Sequence, residues 1–267
     1  MKKSTGFAWA LLGIGVGCCI AAGVMGANWH KLLHHSEAQQ AEDSIVETTQ
    51  IAVTQQNPPV NAKISCLNID MEAADVTVTV GSEWSITGDK YTTWSQNGDT
   101  MDIERKLSSF GTKNKNAAVD ITVPQTEFQD LSCSVDAGSL TMNGIRVTRE
   151  LDCDVDAGKM KLTNMTANNA FFDGGASRLE YTGVLNGDCS IEIDAGSIEM
   201  KLLPGSTIHT ITGDTDLAGI TIKQDGKPLY DSSMLSDSTQ LTTDYAGTGT
   251  LDISCDAGAA DITLTTK

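Results

Sequence analysis

The sequence predicts an all-β domain built as a parallel β-solenoid, a β-helix-like stack of two-strand coils of about 20 residues each, preceded by one N-terminal transmembrane helix. Two phrases carry the β prediction, "SVDAGSLTM" at 134–142 and "DVDAGKMKL" at 154–162. On both sides of each Asp-Ala-Gly, apolar and polar residues alternate, which is typical of strands with one buried face. The helix is predicted because no charged side chain occurs from Ser4 to Trp29.

The N-terminal apolar segment is long enough to cross a bilayer, which needs about 20 residues. Lys2 and Lys3 lie on its short side, which predicts a cytoplasmic N-terminus and an extracytoplasmic C-terminal domain. We therefore predict that residues 1–29 form a cytoplasmic stub and a single-pass anchor in the cell membrane. The alternative is a cleaved signal peptide, although "GVMGANW" is a poor cleavage site.

Residues 30–62 are predicted to be a juxtamembrane segment and polar linker. The segment is rich in Gln, Glu, Thr and Ser and contains Pro58–Pro59. Such a composition favours a stalk that lifts the following domain away from the membrane. The β-strand-repeat domain then occupies residues 63–267.

The Asp-Ala-Gly copies recur with a nearly regular period. Their first residues are Asp136, Asp156, Asp173, Asp194, the degenerate copy Asp216, and Asp256, at spacings of 20, 17, 21, 22 and 40. The last interval contains a predicted insertion at 223–247, in which "QDGKP" indicates a turn. A period near 20 is typical of stacked-strand architectures.

Each unit is predicted to contain an inward-facing strand, a tight corner and a second strand. Stacked units form a parallel ladder with like positions about 4.8 Å apart. Glycine permits a corner conformation that a Cβ would disfavour. The predicted structural turn residues are Gly138, Gly158, Gly175, Gly196, Gly219 and Gly258. A strand meander over 82–124 is predicted to cap the N-terminal end of the stack, where backbone groups would otherwise be unpaired.

The recurring aspartates allow a second interpretation, a ladder of calcium ligands. The candidate metal ligands are Asp136, Asp156, Asp173, Asp194 and Asp256. Outward strand positions add further carboxylates and make one face acidic. No coil, however, has the oxygen-ligand pattern of an EF-hand or a calcium-binding nonapeptide repeat. The turn interpretation is therefore favoured, and no metal or cofactor is predicted.

Five cysteines follow the N-terminal segment, and Cys133 and Cys153 occupy the same position in adjacent coils. Their predicted spacing is compatible with a disulfide, although stacked side chains often have the wrong torsion. Buried apolar thiols account for all of them and are the favoured interpretation.

Charge and histidine content exclude several function classes. The net charge of −17 makes nucleic acid, anionic lipid headgroups and anionic wall polymers poor partners. Apart from His30, His34 and His35 in the predicted juxtamembrane segment, His209 is the only histidine, and no Ser/His or Cys/His arrangement can be assembled. The chain is therefore predicted not to be an enzyme.

Three segments, "DTMDIERK", "VDITVPQTEFQDLSCSVDAGSLTMNGI" and "GTLDISCDAGAADITL", resemble a bacterial family known as "putative adhesin", a β-strand-repeat domain of unknown function. The resemblance covers roughly Lys63–Lys267. It implies a membrane-tethered or secreted envelope protein, mostly of Gram-positive bacteria, and brings no catalytic residues.

The predicted function is that of a non-enzymatic cell-envelope protein, an adhesin-like interaction or scaffold domain presented outside the membrane. The first alternative is an envelope-stress sensor that acts with a membrane partner, and the second is a calcium-binding solenoid. The predicted partner is an envelope protein or surface ligand, and a homo-oligomer stays open. We expect recognition to involve what varies between copies, such as the insertion, more than what recurs.

Overall fold

The computed structural model describes residues 54–58, 63–107, 116–232 and 237–266, which all belong to one unit spanning 50–267. In these ranges the secondary structure is β-strand throughout, as the sequence predicts, and no helix is long and apolar enough to cross a membrane. The predicted transmembrane segment, 1–29, lies outside the described residues. The same holds for most of the predicted linker, 30–62.

In the described part of the chain, fourteen strands form one hydrogen-bonded sheet that winds into a solenoid. Their bounds are β1 Thr54–Gln56, β2 Cys66–Met71, β3 Ala74–Val80, β4 Ser85–Gly88, β5 Thr92–Asn97, β6 Thr100–Arg105, β7 Ala117–Val123, β8 Glu127–Asn143, β9 Arg146–Leu185, β10 Cys189–Leu202, β11 Ile208–Gln224, β12 Lys227–Ser232, β13 Asp237–Thr242 and β14 Gly249–Leu264. The longer strands run through a corner, and β9 contains two successive coils.

We call the strand segment before each corner the first run and the segment after it the second run. First runs pair in parallel in the order β6, β2, β8, β9, β10, β14, β11. Second runs pair in parallel in the order β7, β3, β8, β9, β10, β14, β11. The predicted parallel stack is therefore present.

Inward side chains stack into apolar columns along the solenoid. One first-run column contains Leu67, Leu131, Leu151, Ala170, Cys189, Leu251 and Ile211, and one second-run column contains Val78, Met142, Leu162, Tyr181, Met200, Ile262 and Ile222. All of these side chains are buried. Each fully buried aliphatic contributes about 1.5–3 kcal/mol, which a single coil could not gain because it has nothing to pack against.

Four of the predicted turn glycines stand where successive coils touch. Gly138, Gly158, Gly196 and Gly258 have φ values of 135°, 147°, 159° and 152°. A Cβ at these positions would lie 2.0, 1.7, 1.7 and 1.8 Å from a backbone oxygen of the neighbouring coil. The recurring glycine therefore allows both the corner conformation and the close stacking of corners.

The coil in the second half of β9 differs from the predicted alignment. Ala176 pairs with Ala195 and Ser177 with Gly196, so Ser177, not Gly175, occupies the glycine position of this corner. Asp173 pairs with Glu192 and therefore precedes the corner by two residues. The repeated Asp-Ala-Gly sequence suggests that this corner follows the previous one by 17 residues. The strand register shows that the two corners are 19 residues apart.

In the same coil, a glycine stands at a core position, and a residue with a side chain stands at the glycine position of the corner. Gly174 stands at a core position, and a Cβ there would lie 2.1 Å from the Ser177 Oγ. The inward Ser177 side chain therefore fills the space that Gly174 leaves. Two buried aromatic rings, Phe172 and Tyr181, pack in this coil with centroids 5.7 Å apart.

Gly219 is also displaced from its predicted role. Ala218 pairs with Gly258 and Gly219 with Ala259, so Gly219 lies one residue past the corner. The φ of Ala218 is not positive. The β11 coil thus turns without the left-handed backbone conformation found at Gly138, Gly158, Gly196 and Gly258.

The coils do not stack in chain order at either end. β14, the last strand of the chain, lies between β10 and β11, and β2 and β3 lie between β8 and the outermost pair β6 and β7. Antiparallel strands cover both ends, with β4 and β5 on β7 and β6, and with β12 and β13 on β11. The segment predicted as an insertion therefore contains the two strands that cover the β11 edge.

A buried ion pair closes the end formed by β6. Arg105 pairs with Met71 in the ladder and so occupies a core position. Its side chain and that of Asp89 are each 3% exposed, and its Nη2 donates to Asp89 Oδ2 at 2.8 Å. Its Nη1 donates to the backbone oxygens of Glu72 and Ala73 at the first corner. Although burial opposes it, hydrogen bonds from Arg105 hold the pKa of Asp89 below its usual value.

Tyr245 joins two strand ends at the opposite end of the stack. Its hydroxyl donates to the backbone oxygen of Leu202, 3.1 Å away, and accepts from the backbone N–H of Thr265 at 2.9 Å. We expect Tyr245→Phe to lower the free energy of unfolding by about 0.5–1.5 kcal/mol, because the hydroxyl's hydrogen bonds are lost while the Thr265 N–H and the Leu202 oxygen keep their bond to each other at 2.9 Å. Urea unfolding followed by tryptophan fluorescence measures this, with Tyr91→Phe as the control at a half-buried position. Equal losses in the two variants would contradict the assignment.

Candidate functional site: the acidic face

The outward positions of the first runs form a surface that we call the acidic face. Three positions of each coil contribute: the corner residue, the residue two before it and the residue four before it. In β2, β8, β9, β10, β14 and β11 none of them holds Lys or Arg. The carboxylates on this face are Asp70, Glu72, Asp136, Asp152, Asp154, Asp156, Asp173, Glu192, Asp194, Asp252, Asp256, Asp214 and Asp216.

Stacking brings these carboxylates close enough to perturb one another. Partial burial and the nearby Asp156 raise the pKa of Asp136. Partial burial, followed by Asp156 and Asp173, raises the pKa of Asp154. Burial and then Asp173 raise the pKa of Asp152. The carboxylates at the centre of the acidic face therefore repel one another when they are ionised.

The outward positions of the second runs are charge-balanced instead. Lys159 contacts Glu180 at 2.8 Å, and Arg178 contacts both Glu180 at 2.9 Å and Glu199 at 3.0 Å. Further along, Lys223 lies 4.0 Å from Asp261. The corner separates the two runs, so the chain's excess of acidic residues is concentrated on one side of the coil.

One aromatic side chain interrupts the acidic face. Phe171 is 42% exposed and lies in register with Ser190, in the column that also holds Asp152. Asp173 is two residues along the same strand and points to the same side. An exposed ring beside carboxylates can contact a Lys or Arg side chain through its π face while the carboxylates pair with the charge.

A groove of about 420 Å³ crosses four neighbouring strands of this face. Its charged lining is Glu192 of β10, Asp252 of β14 and Asp214 of β11, and Ser238 and Thr239 of β13 complete it. The Thr212 hydroxyl donates to the Asp252 carboxylate within the groove. A strand of the insertion thus contributes hydroxyls beside carboxylates of the repeated coils.

The five calcium candidates do not share one arrangement. Asp136 and Asp156 are corner residues of adjacent coils, flanked by the pairs Val135–Val155 and Ala137–Ala157, whereas Asp173 precedes its corner. Asp194 and Asp256 are corner residues of the neighbouring β10 and β14. Among the residues that the structure describes, no three His, Cys, Asp or Glu side chains form a metal-binding group.

The cysteines and His209 lie apart from this surface chemistry. Cys133, Cys153, Cys189 and Cys255 are buried free thiols, and Cys66 is half-buried and free. Cys133 and Cys153 are direct ladder partners, and their hydrogen bond together with burial raises the pKa of Cys153. Burial likewise raises the pKa of Cys189. His209 is exposed on β11.

The model of a family called Toastrack DUF4097 matches residues 64–265 of this sequence. The chain belongs to the Toastrack DUF4097 family. The match confirms the family resemblance seen in the sequence and spans the whole described stack from β2 to β14. No curated protein matches the chain.

Two solved structures are similar to this chain over most of its length. A protein from Clostridium sporogenes called a "putative cell adhesion protein" is 12% identical, with a TM-score of 0.47 over 81% of this chain and 99% of its own. A "putative adhesin" from Bacteroides fragilis is 11% identical, with a TM-score of 0.39 over 80% of this chain and 97% of its own.

Sequence reasoning found the acidic face but missed its aromatic residue. Phe171 precedes Phe172 in the sequence, and only strand alternation distinguishes the outward ring from the buried one. The shifted register of this coil hid the distinction. The groove could not be predicted, because it depends on β14 lying between β10 and β11.

We expect Asp154→Asn to stabilise the Toastrack domain at neutral pH. Asp154 and Asp173 occupy like positions of adjacent coils, about 4.8 Å apart, where two charges repel by about 0.9 kcal/mol in bulk water. The free energy of unfolding should rise by roughly 0.5–1 kcal/mol at low salt and by less at high salt. Glu199→Gln on the second-run side is the control and should not stabilise. A stabilisation that is equal in both variants would contradict this.

The acidic face also predicts how stability depends on pH. Asp136, Asp152 and Asp154 have raised pKa values in the folded protein, so the folded state binds more protons than the unfolded state and stability rises as pH falls from neutral. Asp89 has a lowered pKa, so its contribution is lost only as pH falls through that low value. Thermal melts between pH 7 and 3 should therefore show a melting temperature that first rises as pH falls and then declines once Asp89 becomes protonated. A melting temperature that falls steadily from pH 7 would refute this.

Proposed function

We propose that this Toastrack domain is a non-enzymatic interaction domain presented outside the cell membrane, and that it recognises a basic segment of another envelope protein through its acidic face. The observation that carries the proposal is the separation of charge. One side of the coil holds carboxylates at positions without Lys or Arg, where among the described residues only Asp70, at the β6 end, contacts a lysine, Lys106 at 3.7 Å. The other side pairs its charges internally. Such a field attracts cations and speeds their association.

The chemistry of the acidic face favours a peptide over a sugar. Carbohydrate sites usually contain aromatic platforms, and the outward first-run positions supply a single ring, Phe171. A Lys or Arg side chain suits this surrounding, because its charge can contact the ring and a neighbouring carboxylate at once. An exposed cation–π contact contributes about 0.5–1 kcal/mol.

Peptide binding with a charge-matched control tests the proposal. The full chain in detergent is titrated with a labelled peptide of alternating Arg and Ser, at low and high salt. The triple variant Asp152→Asn, Asp154→Asn, Asp173→Asn removes three charges from the acidic face. The triple variant Glu180→Gln, Glu199→Gln, Asp261→Asn removes three charges from the second-run side.

We expect the first triple variant to weaken binding strongly and the second to leave it nearly unchanged. Phe171→Ala should weaken binding by roughly two- to five-fold, and Leu229→Ala, an exposed apolar control, should not. If both triple variants weaken binding equally, the attraction depends on net charge alone and the acidic face is not the site.

The location is tested separately on intact cells. The uncharged segment Ser4–Trp29 and the short side with Lys2 and Lys3 support an extracytoplasmic domain. An epitope tag at the C-terminus should be accessible to antibody without permeabilisation, whereas a tag before Lys2 should require it. The opposite pattern would overturn the proposed location.

A further inference from the structure

β14 is an inserted strand, because it lies between β10 and β11 although it follows both in the chain. It pairs in parallel with β10 from Leu251 to Leu264 and with β11 over the same residues. Its inward side chains Leu251, Ile253, Cys255, Ile262 and Leu264 are buried. Without β14, the facing edges of β10 and β11 would both lose their ladder partner and their apolar neighbour.

The segment before β14 is held mainly by β11, and one of its residues also contacts the end of β14, where the Asp225 N–H donates to the backbone oxygen of Leu264 at 2.9 Å. β12 and β13 pair antiparallel with β11. The Thr243 hydroxyl donates to the backbone oxygen of Ile208 at 2.6 Å, and the Asp244 N–H donates to the Gln224 side chain at 3.2 Å. The contacts with β11 would therefore hold the insertion in place if β14 left its slot, and a replacement β14 would restore the contact with Asp225.

The connection between this anchored segment and β14 is short. After Tyr245, only Ala246, Gly247 and Thr248 precede the first residue of β14. The Tyr245 hydroxyl contacts both the end of β10 and the residue that follows β14. Short hinges before an element with large interfaces favour exchange of that element between copies, because the hinge can extend without loss of the native contacts.

We propose that β14 is an exchangeable strand and that its slot between β10 and β11 accepts β14 of a second copy of this chain, which gives a reciprocal dimer. A second copy is the expected occupant, because its β14 has the same sequence and supplies the same apolar side chains in the same register. All ladder contacts of the single chain are retained in the exchanged pair, and only the Ala246–Thr248 hinge changes. Exchange is set during folding, because β14 leaves a completed stack only by breaking two ladders.

Cysteine trapping between two copies tests this proposal. Glu192 of β10 and Ser254 of β14 are ladder partners with outward side chains. One copy carries Glu192→Cys and the other carries Ser254→Cys, with different tags, and the two full-length chains are co-expressed. A disulfide between these positions forms only where β14 of one copy lies beside β10 of the other.

The control uses a pair that exchange of β14 cannot bring together. Glu192 and Asp173 are also ladder partners on the same face, but their strands are joined through residues 186–188 of one continuous coil. One copy then carries Glu192→Cys and the other Asp173→Cys. A single chain with both Glu192→Cys and Ser254→Cys defines oxidation conditions under which the pair closes, and the native cysteines contribute equally throughout.

With the Glu192/Ser254 pair, we expect a disulfide-linked dimer that carries both tags. With the Glu192/Asp173 pair, we expect no such dimer. Absence of the dimer with the first pair, or equal amounts with both pairs, would overturn the exchange. This outcome is independent of the peptide-binding experiment, because exchange leaves the central acidic face unchanged. A dimer without peptide binding would refute only the proposed function.

Discussion

Gly158→Ala is expected to lower the free energy of unfolding by at least about 3 kcal/mol, a large part of the stability of an ordinary domain. A Cβ at this position would lie 1.7 Å from the backbone oxygen of Gly138 and 2.8 Å from its carbon. Neither atom belongs to a flexible side chain, so the two corners would have to separate. Separation would break ladder hydrogen bonds on both sides of the corner.

Gly144→Ala is the matched control for this prediction. Gly144 also has a positive φ, 74°, but a Cβ there would meet nothing within 4 Å. Its substitution should cost only the conformational strain, about 1 kcal/mol. Chemical denaturation of both variants measures the difference, which isolates the contact between coils from the backbone preference. Similar losses would show that the coils can move apart at little cost.

Arg105→Met is expected to cost about 3–5 kcal/mol, because it leaves the Asp89 carboxylate buried without its partner. The substitution also removes the donor to the backbone oxygens of Glu72 and Ala73 at the first corner. The Ala73 oxygen also accepts from the Ala117 N–H at 3.1 Å, so it keeps one partner when Arg105 is replaced. The loss should appear as a lower denaturant midpoint.

Lys106→Met tests whether the effect belongs to the buried pair. Lys106 is the next residue and contacts Glu104 at 2.9 Å, but its side chain is 58% exposed. Exposed ion pairs contribute about 0–1 kcal/mol, so this variant should remain close to the parent protein. Asp89→Asn should also lower the free energy of unfolding. The double variant of Asp89→Asn and Arg105→Met should lose less stability than the sum of the two single losses. Additive losses would contradict a coupled pair.

The alternation of apolar and polar residues predicted most of the core correctly because a strand has only two faces. Leu131, Cys133 and Val135 are buried as predicted, and so are Leu140 and Met142 after the corner. The predicted register was wrong where the repeated sequence motif and the side-chain volumes disagree. In the β9 coil, Gly174 and Ser177 exchange sizes relative to their neighbours, so volume sets the register and the letters do not.

The acidic face could be predicted in outline, because outward positions of stacked coils must lie in columns. Which carboxylates are neighbours could not be predicted, since that depends on the order of the coils. Asp252 lies beside Ser190 and Thr212 only because β14 is inserted between β10 and β11. Chain order alone would place β11 next to β10 and would leave the groove without Asp252.

The amino-acid sequence by itself determined the class of fold, the approximate period of the coil, the inward and outward faces, and the glycine requirement at four corners. These properties are local, because they depend on alternation and on backbone preferences within about 20 residues. The tertiary structure alone decided the order of the coils, the covering of both ends, the buried Arg105–Asp89 pair and the exposure of Phe171. Parallel strands of similar pattern can pair in many orders, and only the summed packing of the whole stack selects one.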